Sequence, residues 1–529
     1  MQSKSKRRYI LSLSLRITRE LLRKKSVIII GAGVSGLSLA SYLQQCGYET
    51  RVFEKHLRPG GLCTSWQRKD YTIDGCIHWL WGSGKRSPFY KMWSEVLDIN
   101  QVEFHNHKIR ADIELPGVVN KYGSNVFHFY TNINSFREYL LDLAPEDKKQ
   151  IDLLIKSAKR LQKFSLPPML EKPRELFGLS EYFGFMLYTP MLFDYVRMGK
   201  QTNYQFAEKF HNPFLKTAWK YIFEGKENIM MALLMQMCIY DSHCGGFPKG
   251  GSLAFSRKIE DKSTRLGAQI NYGEQVLEMI VDGETVLGVE LENGQTHFAD
   301  YVVSAADWRF TISKLLKDKF TDKFTEQLKS GLYDLFPSAL YLALGVKKEY
   351  KNRVPITRHI LPDPIILPDG DTVSRAESHV YNYDDSFAPP GKSMITVTIY
   401  TQKGQYWIDL KNNNPETYHQ AKKELKDKLI DALSSKFEDL QENIELTELS
   451  TPATYHRYTG NWQGSLQGWL PKSSGSKGFP VKYRIKGLQN FYMCGHWTFP
   501  GGGLPVAVKS ARDVAQLMCK EDKVSFLEK

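Results

Sequence analysis

Cysteine is scarce in this chain and forms no pattern. Seven cysteines are scattered over 529 residues, and no two have the C-x-x-C spacing. Neither a disulfide framework nor a zinc site is therefore indicated. We predict that the protein binds no metal and lies in a reducing compartment, on the cytoplasmic side of a membrane.

Long apolar runs are also absent, since no stretch reaches the roughly 18 uninterrupted apolar residues that a membrane-spanning helix needs. Two segments come nearest, residues 176–196, which are rich in aromatics and leucine, and residues 229–240, which are rich in methionine. Flexible thioether side chains adapt to elongated apolar ligands. We interpret these segments as walls of a lipophilic tunnel or as a contact with the membrane interface. Ordinary buried core helices explain the pattern equally well.

Acidic residues are outnumbered, because 71 lysines and arginines face 58 aspartates and glutamates, giving a formal net charge of +13. Much of the excess lies in residues 1–25, with nine basic residues against one acid. Apolar residues recur there at helical spacing, which favours either a basic amphipathic helix on an anionic membrane surface or a disordered leader. We see no recognisable nucleic-acid-binding module, so we expect peripheral membrane contact and no nucleic acid partner.

The most informative segment runs from Val27 to Gly61 and has the order of a dinucleotide-binding βαβ unit. It opens with an apolar β-branched run, typical of a strand buried in a parallel sheet. Gly31, Gly33 and Gly36 follow, suited to a tight turn, to close approach of a pyrophosphate and to close helix packing. The second strand ends in Glu54, where a ribose 2′-hydroxyl would lie. The unit therefore predicts an adenine dinucleotide.

Two glycine-rich turns decide which dinucleotide is expected. Arg58, Gly60 and Gly61 follow Glu54 and would bring a cation and more backbone to the diphosphate; a surface turn beside a nicotinamide site is the alternative. The second turn, residues 495–505, lies between a strand and a C-terminal helix. A helix N-terminus there can stabilise negative charge on a flavin. Taken alone, this second turn is also consistent with a plain helix start.

These segments together resemble the phytoene-desaturase-like flavoproteins, which include carotene desaturases, carotenoid isomerases and retinol saturase. The E-x-x-x-R-x-G-G extension after the second strand is typical of that superfamily, and residues 385–392 and 451–464 look like interior signatures of the group. The resemblance covers residues 26–518. It implies an α/β fold in which a Rossmann-type, amine-oxidase-like FAD-binding domain is interleaved with an α+β substrate domain.

Domain boundaries follow from this plan. The FAD-binding domain is expected at 26–104, 245–330 and 485–520, the membrane-facing substrate domain at 105–244 and 331–484, the leader at 1–25 and a tail at 521–529.

The resemblance also implies which residues hold FAD. Contacts are expected at Gly31, Ala32, Gly33, Ser35, Gly36, Glu54, Lys55, Arg58, Gly60, Gly61, Leu62, Val276, Gly495, Gly502, Gly503, Leu504, Pro505 and Val506. The two early glycine turns would hold the diphosphate, Glu54 the adenosine ribose, Val276 the adenine and the C-terminal loop the flavin. His496 departs from the pattern, because many relatives carry an acid there.

Three residues are predicted as catalytic: His78, His496 and Trp497. Exchange of hydride with a polyene carbon needs mainly a flavin in a dry site, so few catalytic side chains are required. His78 is suited to moving a proton because histidine titrates near neutrality; a structural histidine in the lobe interface is the alternative. Trp497 is better suited to shaping an apolar cavity than to reacting.

We therefore expect an FAD-dependent oxidoreductase that desaturates or saturates carbon–carbon bonds of a long hydrophobic isoprenoid, carotenoid or related lipid. Only one dinucleotide fingerprint is present, so electrons would pass through a quinone or another acceptor. A redox-neutral cis-trans isomerase of a polyene is the second interpretation. A non-catalytic, flavin-binding, membrane-associated protein is the third.

Overall fold

The computed structural model describes residues 24–162, 171–223 except 185, 187 and 188, 229–470 and 482–527. All but the last two residues of the predicted basic leader, and the end of the predicted tail, lie outside the described residues.

The α-helices and strands are numbered along the chain. Residues 24–162 form β1 (Ser26–Ile30), α1 (Val34–Gln45), β2 (Glu49–Glu54), β3 (Ser65–Arg68), β4 (Tyr71–Asp74), β5 (Leu80–Trp81), α2 (Pro88–Val96), β6 (Phe104–His105), β7 (Ile109–Glu114), β8 (Val126–Tyr130), α3 (Ile133–Leu143) and α4 (Lys148–Leu161). The described part of 171–330 forms α5 (Leu179–Gly184), α6 (Thr189–Asp194), α7 (Asn203–Ala207), α8 (Pro213–Tyr221), α9 (Met230–Asp241), β9 (Gly245–Pro248), α10 (Gly251–Arg265), β10 (Gln269–Tyr272), β11 (Val276–Asp282), β12 (Thr285–Leu291), β13 (Thr296–Phe298), β14 (Tyr301–Ser304), α11 (Trp308–Phe310) and α12 (Lys323–Lys329). The remainder forms β15 (Asp334–Leu335), β16 (Ser338–Val346), β17 (Ile356–Ile366), β18 (Thr372–Val380), β19 (Ser393–Thr401), α13 (Gly404–Asn413), α14 (Pro415–Ser434), α15 (Leu440–Asn443), β20 (Ile444–Ser450), α16 (Pro452–Thr459), β21 (Trp469–Leu470), β22 (Phe491–Met493) and α17 (Gly503–Asp522).

A wholly parallel five-stranded sheet joins the two ends of the chain, in the order β10-β2-β1-β14-β22. Its central strand β1 is a run of serine, valine and isoleucines that is buried after the first residue, as expected for a strand covered on both faces. The strand order reverses at β1, so the carboxyl end of β1 lies at the switch point where such sheets bind ligands. This confirms the predicted α/β, Rossmann-type fold.

A mixed seven-stranded sheet forms the second layer, in the order β20-β16-β19-β18-β17-β7-β8. Its neighbours are antiparallel except for β17 and β7, which run parallel. The hairpin of β7 and β8 thus joins strands from residues 338–450 of the sequence. Every residue of β16 is buried, because one face packs on the apolar core that includes α13 and α14 and the other on an aromatic cluster.

The two apolar segments noted in the sequence have different environments. In α9, Met230, Leu233 and Leu234 are fully buried among the helices around residues 133–241, so this segment is a core helix. Residues 176–196 instead contain the short helices α5 and α6, where Leu179 and Phe183 are 79% and 68% exposed. A buried core helix is therefore the wrong interpretation for that stretch. Among the described residues, no helix is both long and apolar enough to cross a membrane.

Candidate functional site

The first glycine turn leads from β1 into α1. Gly31 has φ +102°, a conformation that side chains disfavour, and its N–H donates to the Phe53 carbonyl at 2.8 Å. A Cβ on Gly36 would lie 2.0 Å from the Gly31 carbonyl oxygen, so only glycine lets the helix pass so close to the strand. By contrast, a Cβ on Gly33 would meet only the Gly60 carbonyl oxygen, 4.0 Å away. Gly33 therefore leaves bare backbone facing open space at the helix N-terminus.

The second glycine turn lies directly against the first. The Gly60 N–H donates to the Ala32 carbonyl at 2.8 Å, and Gly33 and Gly60 form an isolated parallel bridge. A Cβ on Gly60 would lie 2.2 Å from the Cys63 carbonyl oxygen, and one on Gly61 would lie 3.5 Å from the Gly33 Cα. The two turns together form one cradle of bare backbone.

The buried carboxylate of Glu54 borders this cradle. Its Oε2 accepts the Ala32 N–H at 2.7 Å and its Oε1 accepts the His56 N–H at 2.8 Å. Burial raises the pKa of Glu54, against the two backbone hydrogen bonds, which lower it. The Glu274 N–H donates to the Glu54 carbonyl at 2.9 Å, which places Val276, the first residue of β11, close by. The residues predicted at the ribose and the adenine are thus brought together.

Three more predicted residues lie around the same turn. The Lys55 Nζ donates to the Arg457 carbonyl at 3.2 Å, which ties the turn to α16. Arg58 is exposed to solvent, so its guanidinium is accessible to a diphosphate. Leu62 packs against the aromatic cluster that contains Tyr341 and Tyr381.

The C-terminal glycine loop meets α1 from the other side. A Cβ on Gly495 would lie 3.3 Å from the Ser35 Oγ, and one on Gly502 would lie 2.0 Å from the Gln467 carbonyl oxygen. The helix α17 begins at Gly503, and its first turn contains the half-buried Leu504, Pro505 and Val506. The N-termini of α1 and α17 therefore border the same edge of the parallel sheet.

His496 lies at this edge with an unmet hydrogen-bonding atom. Its Nε2 is buried and has no partner among the described residues. Burial lowers the pKa of His496 to about 4, so the ring is neutral at pH 7. Such an orphaned polar atom fits a site completed by a bound polar group.

Trp497, by contrast, is part of the core. It is 2% exposed, and its ring lies 5.2 Å from that of Trp469 in an edge-to-face contact. Its Nε1 donates to the Asn461 Oδ1 at 3.3 Å. This placement favours a packing role over the catalytic role predicted from the sequence.

His78 follows the turn after β4. The Ile77 N–H beside it donates to the Ser252 Oγ at 2.8 Å, which fixes the backbone. The His78 Nδ1 is buried without a partner among the described residues. Burial lowers the pKa of His78, so the neutral ring is a proton acceptor at pH 7.

Sequence reasoning missed the groups that surround His78. The His379 ring lies 6.0 Å from the His78 ring and stacks on Tyr381 at 4.0 Å. The His379 Nε2 is 3.0 Å from the Tyr383 hydroxyl. Glu377, His379, Tyr381 and Tyr383 follow one another at a spacing of two, which places them on one side of an extended segment that begins in β18. This spacing of polar and aromatic side chains is a signal that the sequence did offer.

The geometry defines a class of protein. A parallel sheet with its switch point at a glycine turn, a second glycine turn against it and a helix N-terminus from the far end of the chain fit a bound dinucleotide with a flavin. No group of side chains suited to a metal ion occurs within the described residues. This is an FAD-dependent oxidoreductase with a Rossmann-type fold.

Comparison with known proteins gives the family. Residues 34–519 match the flavin containing amine oxidoreductases, and the chain belongs to that family. This confirms FAD as the cofactor.

Similar proteins share nearly the whole length of the chain. Carrot (Daucus carota) prolycopene isomerase is 25% identical over 513 residues, covering 91% of this chain and 78% of the isomerase. The 4,4'-diapophytoene desaturase of Methylomonas sp. is 23% identical over 537 residues, covering 95% and 96% of the two chains. A Methanosarcina mazei oxidoreductase structure superposes with a TM-score of 0.57 at 15% identity, covering 93% of this chain and all of its own. At that identity it shows the fold alone.

Proposed function

We propose that this enzyme desaturates or saturates carbon–carbon bonds of a long isoprenoid or related lipid. The observation that carries the proposal is an apolar and aromatic cluster between the glycine turns. It includes Leu62, Tyr341, Tyr381, Tyr455 and Leu466. Leu62 adjoins the Gly60-Gly61 turn, and Leu466 adjoins Gln467, which contacts the C-terminal loop. Such a wall excludes water, as hydride exchange with an unactivated carbon requires.

The relatives support the same chemistry. Two enzymes named for reactions of carotenoid polyenes align with more than nine tenths of this chain, so the similarity extends through the cluster as well as the FAD site. When bound, FAD supplies the hydride acceptor or donor. The side chains described above orient the lipid, keep water out and move a proton where one is needed.

Within this proposal, His78 serves as the proton carrier. Its Nδ1 faces no partner among the described residues and its ring is neutral. A neutral imidazole takes a proton released when a C–H bond breaks, and returns it when the reverse reaction saturates a double bond.

A redox-neutral cis-trans isomerase is the second candidate. It is favoured by prolycopene isomerases from carrot and Arabidopsis thaliana, which are 25% and 24% identical and align with 91% and 90% of this chain. The same dry cluster would hold the polyene while a double bond rotates. The fold therefore serves both reactions.

Anaerobic incubation of the FAD-loaded enzyme with a polyene separates the two candidates. Desaturation leaves the flavin reduced, which its absorbance reports; saturation needs flavin reduced beforehand and oxidises it. Isomerisation changes the polyene geometry while the oxidation state of pre-reduced flavin stays constant. The proposed function would be refuted if no polyene were converted under any of these conditions.

We further propose that the enzyme takes its lipid from a membrane surface. Leu179, Phe183, Met186, Phe193 and Val196 are all more than half exposed within one short stretch of chain. Burying such side chains in the acyl boundary is favourable, and the basic leader would add attraction to anionic lipids. A membrane quinone is the electron acceptor that best fits this location.

A further inference from the structure

A group of polar side chains lies beyond the aromatic cluster. It consists of His107, Arg110, His379 and Tyr383, here called the histidine pocket. Tyr383 links its members, since its ring lies 4.5 Å from that of His107 and 5.9 Å from that of His379. The pocket is assembled from the segment from β6 to β7 and from the end of β18 with the loop after it. A hydrocarbon binding site would have no use for such groups.

Three atoms of the histidine pocket lack hydrogen-bond partners. They are the Nδ1 of His379, the Nε2 of His107 and the Nη1 of Arg110, all buried and unpartnered among the described residues. His379 is only 3% exposed. Buried polar atoms are nearly always paired, so three unpaired atoms in one place point to a ligand that pairs them.

Arg110 determines what this ligand must offer. Its Nε donates to the Tyr240 hydroxyl at 2.7 Å, and its guanidinium lies over the Tyr240 and Phe247 rings at 5.4 and 6.0 Å. A guanidinium has donors only, so the free Nη1 needs an acceptor. Glu377, a nearby carboxylate, already accepts the Arg358 Nε at 2.8 Å.

The histidines of the pocket are uncharged, so they do not compete with Arg110 for a negatively charged acceptor. Burial lowers the pKa of His379, and it lowers the pKa of His107 to about 4. Each ring is neutral at pH 7 and adds a single N–H donor, which suits an uncharged or negatively charged oxygen group equally. A small cavity lined by His107, Arg110, Tyr240 and Phe247 has room for about one water-sized group, such as a single oxygen atom.

We propose that the histidine pocket binds an acceptor oxygen at the end of the substrate. This rests on the proposed function and narrows it: the lipid is an oxygenated isoprenoid, ending in a carboxylate, carbonyl or hydroxyl, rather than a pure hydrocarbon. Of these groups a carboxylate pairs best with Arg110, because a charge-assisted hydrogen bond is the strongest available. The aromatic cluster then holds the carbon chain between this end group and the flavin.

Isothermal titration of the FAD-loaded enzyme with matched geranylgeranyl lipids tests the assignment. The four probes are the carboxylic acid, the aldehyde, the alcohol and the hydrocarbon, all in the same detergent. We expect the acid to bind at least tenfold more tightly than the hydrocarbon. Equal affinity for the two in the wild-type enzyme would overturn the assignment without any variant.

Two arginine variants locate the preference. Arg110→Met should remove the tenfold preference while leaving the affinity for the hydrocarbon unchanged, and Arg110→Lys should retain part of it. Arg375→Met is the matched control, because Arg375 also lies over a ring, that of Tyr221, at 4.4 Å; its preference should equal that of the wild type. Equal weakening of all four probes by Arg110→Met would contradict the assignment.

Conversion of the same four lipids is measured separately. Preferential binding of the acid without conversion of any probe would refute the proposed function and leave the pocket assignment standing. Conversion of acid and hydrocarbon alike, with no difference in affinity, would refute the pocket assignment alone.

Discussion

The Ser35 hydroxyl donates to the Cys494 sulfur at 3.4 Å, although 459 positions separate the two residues. Ser35 lies in the first turn of α1, and Cys494 follows β22. Their contact brings the start of the chain's first described helix to the loop that precedes its last. The first glycine turn and the C-terminal glycine loop therefore meet at one edge of the parallel sheet.

Gly33→Ala should separate cofactor binding from folding. The added Cβ meets only one protein atom, 4.0 Å away, and Gly33 has the ordinary φ of −67°, so the apo-protein should keep its thermal stability. We expect FAD to bind at least about tenfold more weakly, roughly 1.4 kcal/mol, because the methyl group faces the bare-backbone cradle. Titration of the apo-protein with FAD measures this.

Gly36→Ala is the contrasting variant, since its Cβ would lie 2.0 Å from a backbone oxygen. It should lower the melting temperature of the apo-protein itself. Unaltered FAD affinity in Gly33→Ala would show that the dinucleotide does not contact this backbone.

His78→Gln should lower kcat by about a hundredfold, a typical loss when a proton-transferring side chain is removed. FAD content and melting temperature should change little, because glutamine keeps a hydrogen-bonding side chain of similar size. The pH profile of kcat decides the role. If His78 carries the proton, the wild-type profile shows an ionisation that is missing from the profile of the variant. An unchanged kcat with a lower melting temperature would make His78 a structural residue.

The stability of the protein should fall in mild acid, and His496 is one of the buried histidines responsible. Burial lowers its pKa from 6.5 to about 4, so the unfolded chain binds a proton at a higher pH than the folded protein does. The contribution of His496 to the free energy of unfolding is present in full above about pH 6.5. It falls progressively, by roughly 3 kcal/mol in total, as the pH is lowered to about 4. Urea unfolding across this range measures the loss.

His496→Gln should make that pH dependence less steep without abolishing it, because burial also lowers the pKa of His78, His107 and His379. His419→Gln should leave the slope unchanged, because His419 is exposed on α14. Equal slopes for the His496 variant and the wild type would contradict the prediction.

Replacing Phe183 and Phe193 with serine should weaken binding to lipid vesicles. The two rings are 68% and 59% exposed, and burying each in the interface is worth about 2 kcal/mol. Sedimentation with vesicles measures the partition, and we expect at least a tenfold loss. Phe298→Ser is the control, because Phe298 is 65% exposed but lies in β13; unaltered sedimentation of the double variant would refute the membrane contact.

Local features of the fold were predictable from the sequence. The βαβ unit, the glycine turns and the hairpin turn between β11 and β12 are each determined by residues within a few positions of one another. The strand β16 is a continuous apolar run, and the helix α14 has buried apolar residues at helical spacing. These patterns identify elements because backbone preferences act locally.

Long-range pairing was not predictable. Nothing in residues 109–130 indicates that they pair with β17, more than two hundred positions later, since register between distant strands depends on tertiary packing. The histidine pocket was missed for the same reason, because Arg110 and His379 lie in the distant strands β7 and β18. The sequence did not decide whether α5 is buried or exposed, because a stretch of apolar residues has the same pattern in a core helix and on a membrane-binding surface.

The placement of β22 at an edge of the parallel sheet has a consequence for biosynthesis. The other four strands of the sheet lie within residues 26–304, whereas β22 comes at Phe491–Met493, so the first dinucleotide turn is synthesised long before the flavin half of the site. We expect FAD to bind only after β22 and the glycine loop that follows it have left the ribosome, and FAD retained on nascent chains stalled before β22 would contradict this. A premature stop codon before residue 491 would then yield a protein that never acquires its redox group.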